Sequence, residues 1–140
     1  MLLKRKTVGV DDLLNLCEPE SRKMLERAIA LWQEAGNPVD AKGYWLHFKA
    51  PKDKKAYEIF WAGMPNSVRR VPHFEVSFRY LVDKGIPEVL VEHFKDNLKG
   101  IANLDPSSDK KYIPMKVNEK FSEADVDKLV ESALNLAGSI

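Results

Sequence analysis

Two glutamates and two histidines are the residues of this chain with the most chemistry in them. Glu58 and Glu75 sit within stretches of aromatic and β-branched residues, and so do His47 and His73. Carboxylate oxygens and imidazole nitrogens that converge at about 2 Å hold a divalent metal, and His47 and His73 with Glu58 and Glu75 are the candidates to supply them. The plainer alternative is that all of them are ordinary polar residues on the wet side of an antiparallel sheet. His93, next to Glu92 in a helical stretch, reads as a surface residue.

A second set is basic and aromatic. Lys49, Lys52, Lys54 and Lys55 cluster in one hairpin, Arg69 and Arg70 precede His73, and Trp45, Phe60 and Trp61 interleave with them. Cations that neutralise phosphates, combined with rings that stack on bases, make a surface for single-stranded nucleic acid. Lysine-rich turns also keep sheet edges from pairing with other chains. A face bearing Trp45, His47, Phe60 and Arg79, if left open, equally suits a protein partner or a homodimer. Cys17 is the single cysteine. It excludes an internal disulfide and zinc sites built on two or more thiolates. At the end of an apolar run it reads as a structural thiol. There is no P-loop, dinucleotide-binding glycine fingerprint, nucleophile elbow or His-Glu-x-x-His.

The elements that must position these residues follow from periodicity. Side chains alternate across a strand. Tyr44, Leu46 and Phe48 therefore oppose Trp45, His47 and Lys49. Tyr57, Ile59 and Trp61 oppose Glu58, Phe60 and Ala62. Phe74, Val76, Phe78 and Tyr80 oppose His73, Glu75, Ser77 and Arg79. Residues 51–55 form a polar turn, so the first two strands pair as a hairpin. Lys111 to Val117 is a fourth strand, and Pro114 assigns it to an edge or a bulge. Helical spacing marks a short segment ending near Cys17, a long helix from Pro19 to Ala35, another from Pro87 to about Lys99, and a last one after Ser122. Ser122 and Asp125 have the spacing of a capping box, and Gly138 is the expected stop. The fold class is α+β: an antiparallel three-stranded meander plus a fourth strand packed against helices, in the order αβββαβα. The expected core is Tyr44, Leu46, Phe48, Ile59, Trp61, Phe74, Val76, Phe78, Trp32, Leu25, Phe94 and Leu129.

The chain of 140 residues, 44% hydrophobic and 31% charged, has the size and composition of one globular domain, 1–140, with residues 1–9 as a flexible basic arm. A net charge of +1 gives no whole-molecule bias toward nucleic acid or an anionic membrane. The amino terminus lacks the apolar core of a secretory signal, and no apolar run approaches the ~18 residues that span a bilayer. A soluble, cytoplasmic protein with no membrane partner is expected.

Helix, three strands, helix, strand, over about Pro19 to Val117, resembles the core order of the PD-(D/E)xK nuclease-like superfamily. In that alignment Glu58 falls at the first acid. Glu75-Val76-Ser77 falls at the acid-x-lysine, with Ser77 in place of the lysine, and Tyr57 rather than proline precedes the region. The resemblance implies Mg²⁺ or Mn²⁺ held by Glu58 and Glu75, and a water attacking a phosphodiester, with Lys49 or Arg79, neither at the motif position, as the candidate cation in place of the lysine. From the residues themselves, the expected function is a small binding or interaction module without catalysis or a cofactor of its own. The alternatives are the metal-dependent nuclease and the single-stranded nucleic-acid binder.

Overall fold

A computed structural model describes residues 9–68 and 70–140. The strands are β1 (Val39–Lys42), β2 (Trp45–Lys52), β3 (Lys55–Gly63), β4 (His73–Val76) and β5 (Ile113–Lys116). They form one five-stranded sheet in chain order, and every neighbouring pair is antiparallel. The helices are α1 (Val10–Leu14), α2 (Pro19–Glu34), α3 (Phe78–Asp83), α4 (Glu88–Asn97) and α5 (Glu123–Ser139). The α+β class and the meander are as expected, and β5 lies at the sheet edge as Pro114 required. Among the described residues no helix is long and apolar enough to cross a membrane. The expected arm falls outside the described residues except for Gly9, which precedes α1.

The element order differs from the expectation in two places. The first is β1, a four-residue strand paired to β2 through a two-residue turn at Gly43 and Tyr44. Gly43 has φ +63° there, the conformation a tight hairpin favours at its first central position. The second is the end of the third expected strand. It stops at Val76, because the Ser77 side chain accepts a hydrogen bond from the Tyr80 N–H at 3.1 Å and so caps α3. Phe78 and Arg79 are therefore helical rather than extended.

Glycines end the helices by a shared device. Gly85 (φ +94°) follows α3. The Ile86 N–H reaches back to the Leu81 carbonyl at 3.1 Å and the Gly85 N–H to Val82 at 2.9 Å. Gly36 (φ +88°) closes α2 in the same pattern, with Asn37 bonded to Trp32 and Gly36 to Gln33. This double bond satisfies the last carbonyls of a helix. The α5 start is the expected capping box, with Ser122 and Asp125 bonding each other reciprocally. The helix does not stop at Gly138 but runs on to Ser139.

The core lies between one sheet face and helices α2 and α5. Trp32 from α2 is fully buried and meets Phe48 and Phe60 edge-on, with ring centroids 6.3 and 5.4 Å away. Phe48 and Phe60 are register partners and stack at 4.1 Å. Of the expected core, Tyr44 is 69% exposed, since it sits in the β1–β2 turn rather than in a strand. Phe78 is half-buried against Phe94 at the start of α3. Trp61 is buried, but on the other face of the sheet.

Candidate functional site

A one-residue irregularity decides which side chains meet. Strict alternation groups Glu58 with Phe60 and Ala62. In the β2–β3 register, Phe48 pairs with Phe60 and Lys49 with Glu58, so Ile59 is an extra residue on β3. Such a bulge reverses the facing of everything beyond it. Phe60 and Ala62 stay in the core with Ile59, while Glu58 turns to the opposite face beside Trp61. The expected sharing of a face by Glu58, Phe60 and Trp45 is thereby corrected. Glu58 and Trp45 lie on one face, and Phe60 lies on the other. Trp32 supports the bulge from the core side, its indole N–H donating to the Lys49 carbonyl at 2.9 Å.

On the second face the side chains enclose a cleft of about 390 Å³. Four aromatic rings wall it: Trp45 from β2, Trp61 from β3, Tyr80 from α3, and Tyr112 from the segment before β5. Its polar lining is His47, Glu58 and Glu75. Trp61, 7% exposed, is the floor, and Tyr112, 41% exposed, stands at the rim. The Tyr80 and Tyr112 rings meet Trp61 nearly at right angles, 78° and 76°, with centroids 5.1 and 5.7 Å away.

Glu58 organises the cleft. His47 Nδ1 is hydrogen-bonded to its Oε1, the Trp61 indole N–H donates to the same oxygen at 3.3 Å, and the Tyr80 hydroxyl donates to Oε2 at 3.1 Å. Burial by itself pushes the Glu58 carboxyl up. The bonds from His47, Trp61 and Tyr80 outweigh it and hold the group below its ordinary range. Tyr80 responds in the opposite direction, pushed up to about 12 by burial and by the Glu58 charge. At neutral pH the pair is therefore carboxylate and phenol. Because the carboxylate is ionised and can only accept, His47 Nδ1 is the donor in their hydrogen bond. Glu75 lies across from Trp61 in register, with His73 Nε2 4.0 Å from its carboxylate.

Gly63 belongs to this face through what it lacks. It pairs with Trp45 on one side and His73 on the other, and those two rings meet over it at 5.2 Å. A Cβ built on Gly63 would lie 2.4 Å from His73 Cε1 and 3.0 Å from Trp45 Cζ3. The bare backbone is what lets the rings close.

The remaining sequence candidates scatter. Lys49 faces Glu58 in register but binds Asp40 at 2.9 Å, a bond that raises its pKa. Arg79 is exposed and donates to the Asp109 carbonyl at 3.1 Å, away from the cleft lining. Ser77, at the position of the superfamily's lysine, is fully buried as the α3 cap. Lys52, Lys54 and Lys55 are exposed at the β2–β3 turn and Arg70 in the β3–β4 connection, and none lines the cleft. Arg69 lies outside the described residues. His93 is exposed on α4 as expected. Cys17 is half-buried with Sγ 3.8 Å from Met64 Sδ. Burial pushes its thiol up to about 11, against the pull of Arg22, so it is protonated at neutral pH. The sequence reading missed two walls of the cleft. Tyr80 was hidden by being assigned to a strand, and Tyr112 reached the site only through the edge position of β5. The signal available for Tyr80 was Ser77 as a helix cap with Gly85 as a stop.

Chemically, the arrangement offers π-faces, two carboxylates and an imidazole oriented by one of them. It suits binding of a ligand with apolar and positive parts. A bare Mg²⁺ asks for about six oxygen ligands. Among the described residues no three or more His, Cys, Asp or Glu side chains are grouped to hold a metal. Compared with known proteins, the chain matches no family model, no curated protein and no solved structure.

Proposed function

We propose that this protein is a binding module whose ligand seats in the cleft on the second sheet face. One observation carries the reading: four aromatic rings and two carboxylates from β2, β3, β4, α3 and the segment before β5 converge on one cavity. A mostly apolar cavity of a few hundred Å³ with a few placed polar groups is the usual form of a ligand site. Screening a chemically diverse fragment panel by NMR tests it. Binding fragments should shift the indole signals of Trp45 and Trp61 together. Hits confined to other surfaces, or a panel that leaves both indoles unmoved, would sink the reading.

Metal-assisted phosphodiester hydrolysis is a second reading, favoured by the fact that Glu58 and Glu75 line the same cleft. It is the weaker one, because Glu58 already accepts from three donors and the lysine position holds a buried serine. Titration of Mg²⁺ and Mn²⁺ decides it. Amide shifts focused on β3 and β4, and lost in both Glu58→Gln and Glu75→Gln, would restore it.

A further inference from the structure

The two edges of the sheet are finished differently. In β5 the Val117 N–H bonds back to the Pro72 carbonyl at 2.9 Å, so Pro114 and Lys116 turn their backbone outward. Both are guarded. Pro114 has no N–H to offer, and the Lys116 carbonyl accepts from the Asn103 side chain at 2.7 Å. In β1 the Lys49 N–H bonds the Pro38 carbonyl at 3.1 Å, so Pro38, Asp40 and Lys42 turn their backbone toward β2. Val39 and Ala41 turn theirs outward, and among the described residues nothing bonds those groups. The space against this strand is open: a cavity of about 620 Å³ is lined by Asp40, Ala41 and Lys42.

An open edge is a template for a further strand, and the β1 side chains select which. Asp40 and Lys42 lie two apart on one face and are both exposed. A lone edge lysine repels an approaching strand. An acid two positions before it makes the strand complementary to itself. An antiparallel two-fold centred on Asp40 or Lys42 sets like charges against each other. Centred on Val39, it sets Ala41 against Asn37, which lies outside the strand and is bonded to Trp32. Centred on Ala41, it joins the outward Ala41 groups to their own copies and sets Asp40 against Lys42 of the second copy on both sides of the axis. These are the positions without backbone bonds between them, where side chains approach most closely. Asp40 already holds Lys49 through Oδ2 at 2.9 Å. Its side chain is still 56% exposed, and a carboxylate accepts from more than one donor. We infer that this edge joins a second copy of the chain, β1 to β1 about a two-fold axis at Ala41, making one continuous sheet. The strand has four residues, so the contact is short and the dimer weak.

Sedimentation velocity of the full chain over a concentration series reads the assembly, and amide exchange locates it. The parent should pass from monomer to dimer as concentration rises, with the Ala41 amide gaining protection in step. A chain that stays monomeric up to the concentrations used for NMR overturns the inference. So does Ala41 protection that is the same at every concentration, because it assigns the edge to the chain's own residues 1–8. Ala41→Pro deletes the outward N–H without breaking a bond to β2 and should abolish the dimer. Asp40→Lys and Lys42→Asp, at exposed positions that do not threaten folding, each place like charges across the axis and should weaken the dimer about tenfold. Mixed in equal amounts, these two variants should pair with each other and recover the dimer, an outcome that damage to the fold does not produce. A dimer untouched by Ala41→Pro belongs to another surface. Charge variants that stay apart when mixed exclude the axis at Ala41. Either result overturns the inference.

Discussion

Glu58 takes three donors from three elements, and its protonation state therefore couples the cleft to stability. Its folded pKa lies below the ordinary value of 4.5. A carboxyl depressed on folding stabilises the native state above its unfolded pKa. That contribution is lost as pH falls through 4.5 and then through the lower folded value. Glu58→Gln should flatten the acid side of the stability curve, measured as urea midpoints between neutral pH and the carboxylate range. An unchanged acid limb would mean that its three bonds add nothing net. Gly63 is the second residue with an outcome of its own. Gly63→Ala drives a methyl into the His73 and Trp45 rings and should cost about 1–3 kcal/mol. Gly138→Ala, within α5 and with open space around the new methyl, should instead stabilise by up to about 1 kcal/mol. Denaturation midpoints of the two variants moving in the same direction would contradict the packing of Trp45 and His73 over Gly63.

At the scale of elements, two local devices set the site: the bulge at Ile59 and the cap at Ser77. The cap turns the chain out of β4 early enough for Tyr80 to reach Glu58. Ser77→Ala removes the acceptor for the Tyr80 N–H and should cost about 1 kcal/mol. Tyr80 amide exchange should speed up by more than the global loss accounts for, and protection that falls no further than the global change would remove Ser77 from this role. Much of the element list was legible. Pro19 and Gly36 bracket α2 as read, Pro87 begins α4, and the Ser122–Asp125 box begins α5. Phe74 to Tyr80 was misread because aromatic residues at every second position fit a strand. Phe78 and Leu81, three apart, fit a helix as well, and the buried cap settled the matter. β1 was missed because four residues after Pro38 carry too little pattern to stand out.

For the whole molecule, Trp32 joins the helical layer to the sheet and to the bulge. Trp32→Ala empties a fully buried site between Phe48 and Phe60 and should cost about 3–5 kcal/mol, a large share of a typical domain's stability. Trp32→Phe keeps most of the ring but leaves the Lys49 carbonyl without the indole donor, and should cost about 1–3 kcal/mol. Both read out in equilibrium denaturation. A Phe variant as stable as the parent would show that the indole bond does not hold the bulge. By itself the sequence determined the α+β class, the antiparallel meander, most helix ends, and a core built on Leu46, Phe48, Phe74, Trp32 and Leu129. These follow from local periodicity, capping residues and turn residues, which act over a few positions of the chain. Only the tertiary structure decided which face Glu58 occupies and that Tyr80 and Tyr112 join it. One inserted residue in a strand reverses the facing of its neighbours without changing their types. Whether Ile59 is inserted depends on how β3 registers against β2 and on a tryptophan from a helix 17 residues away from the carbonyl it meets.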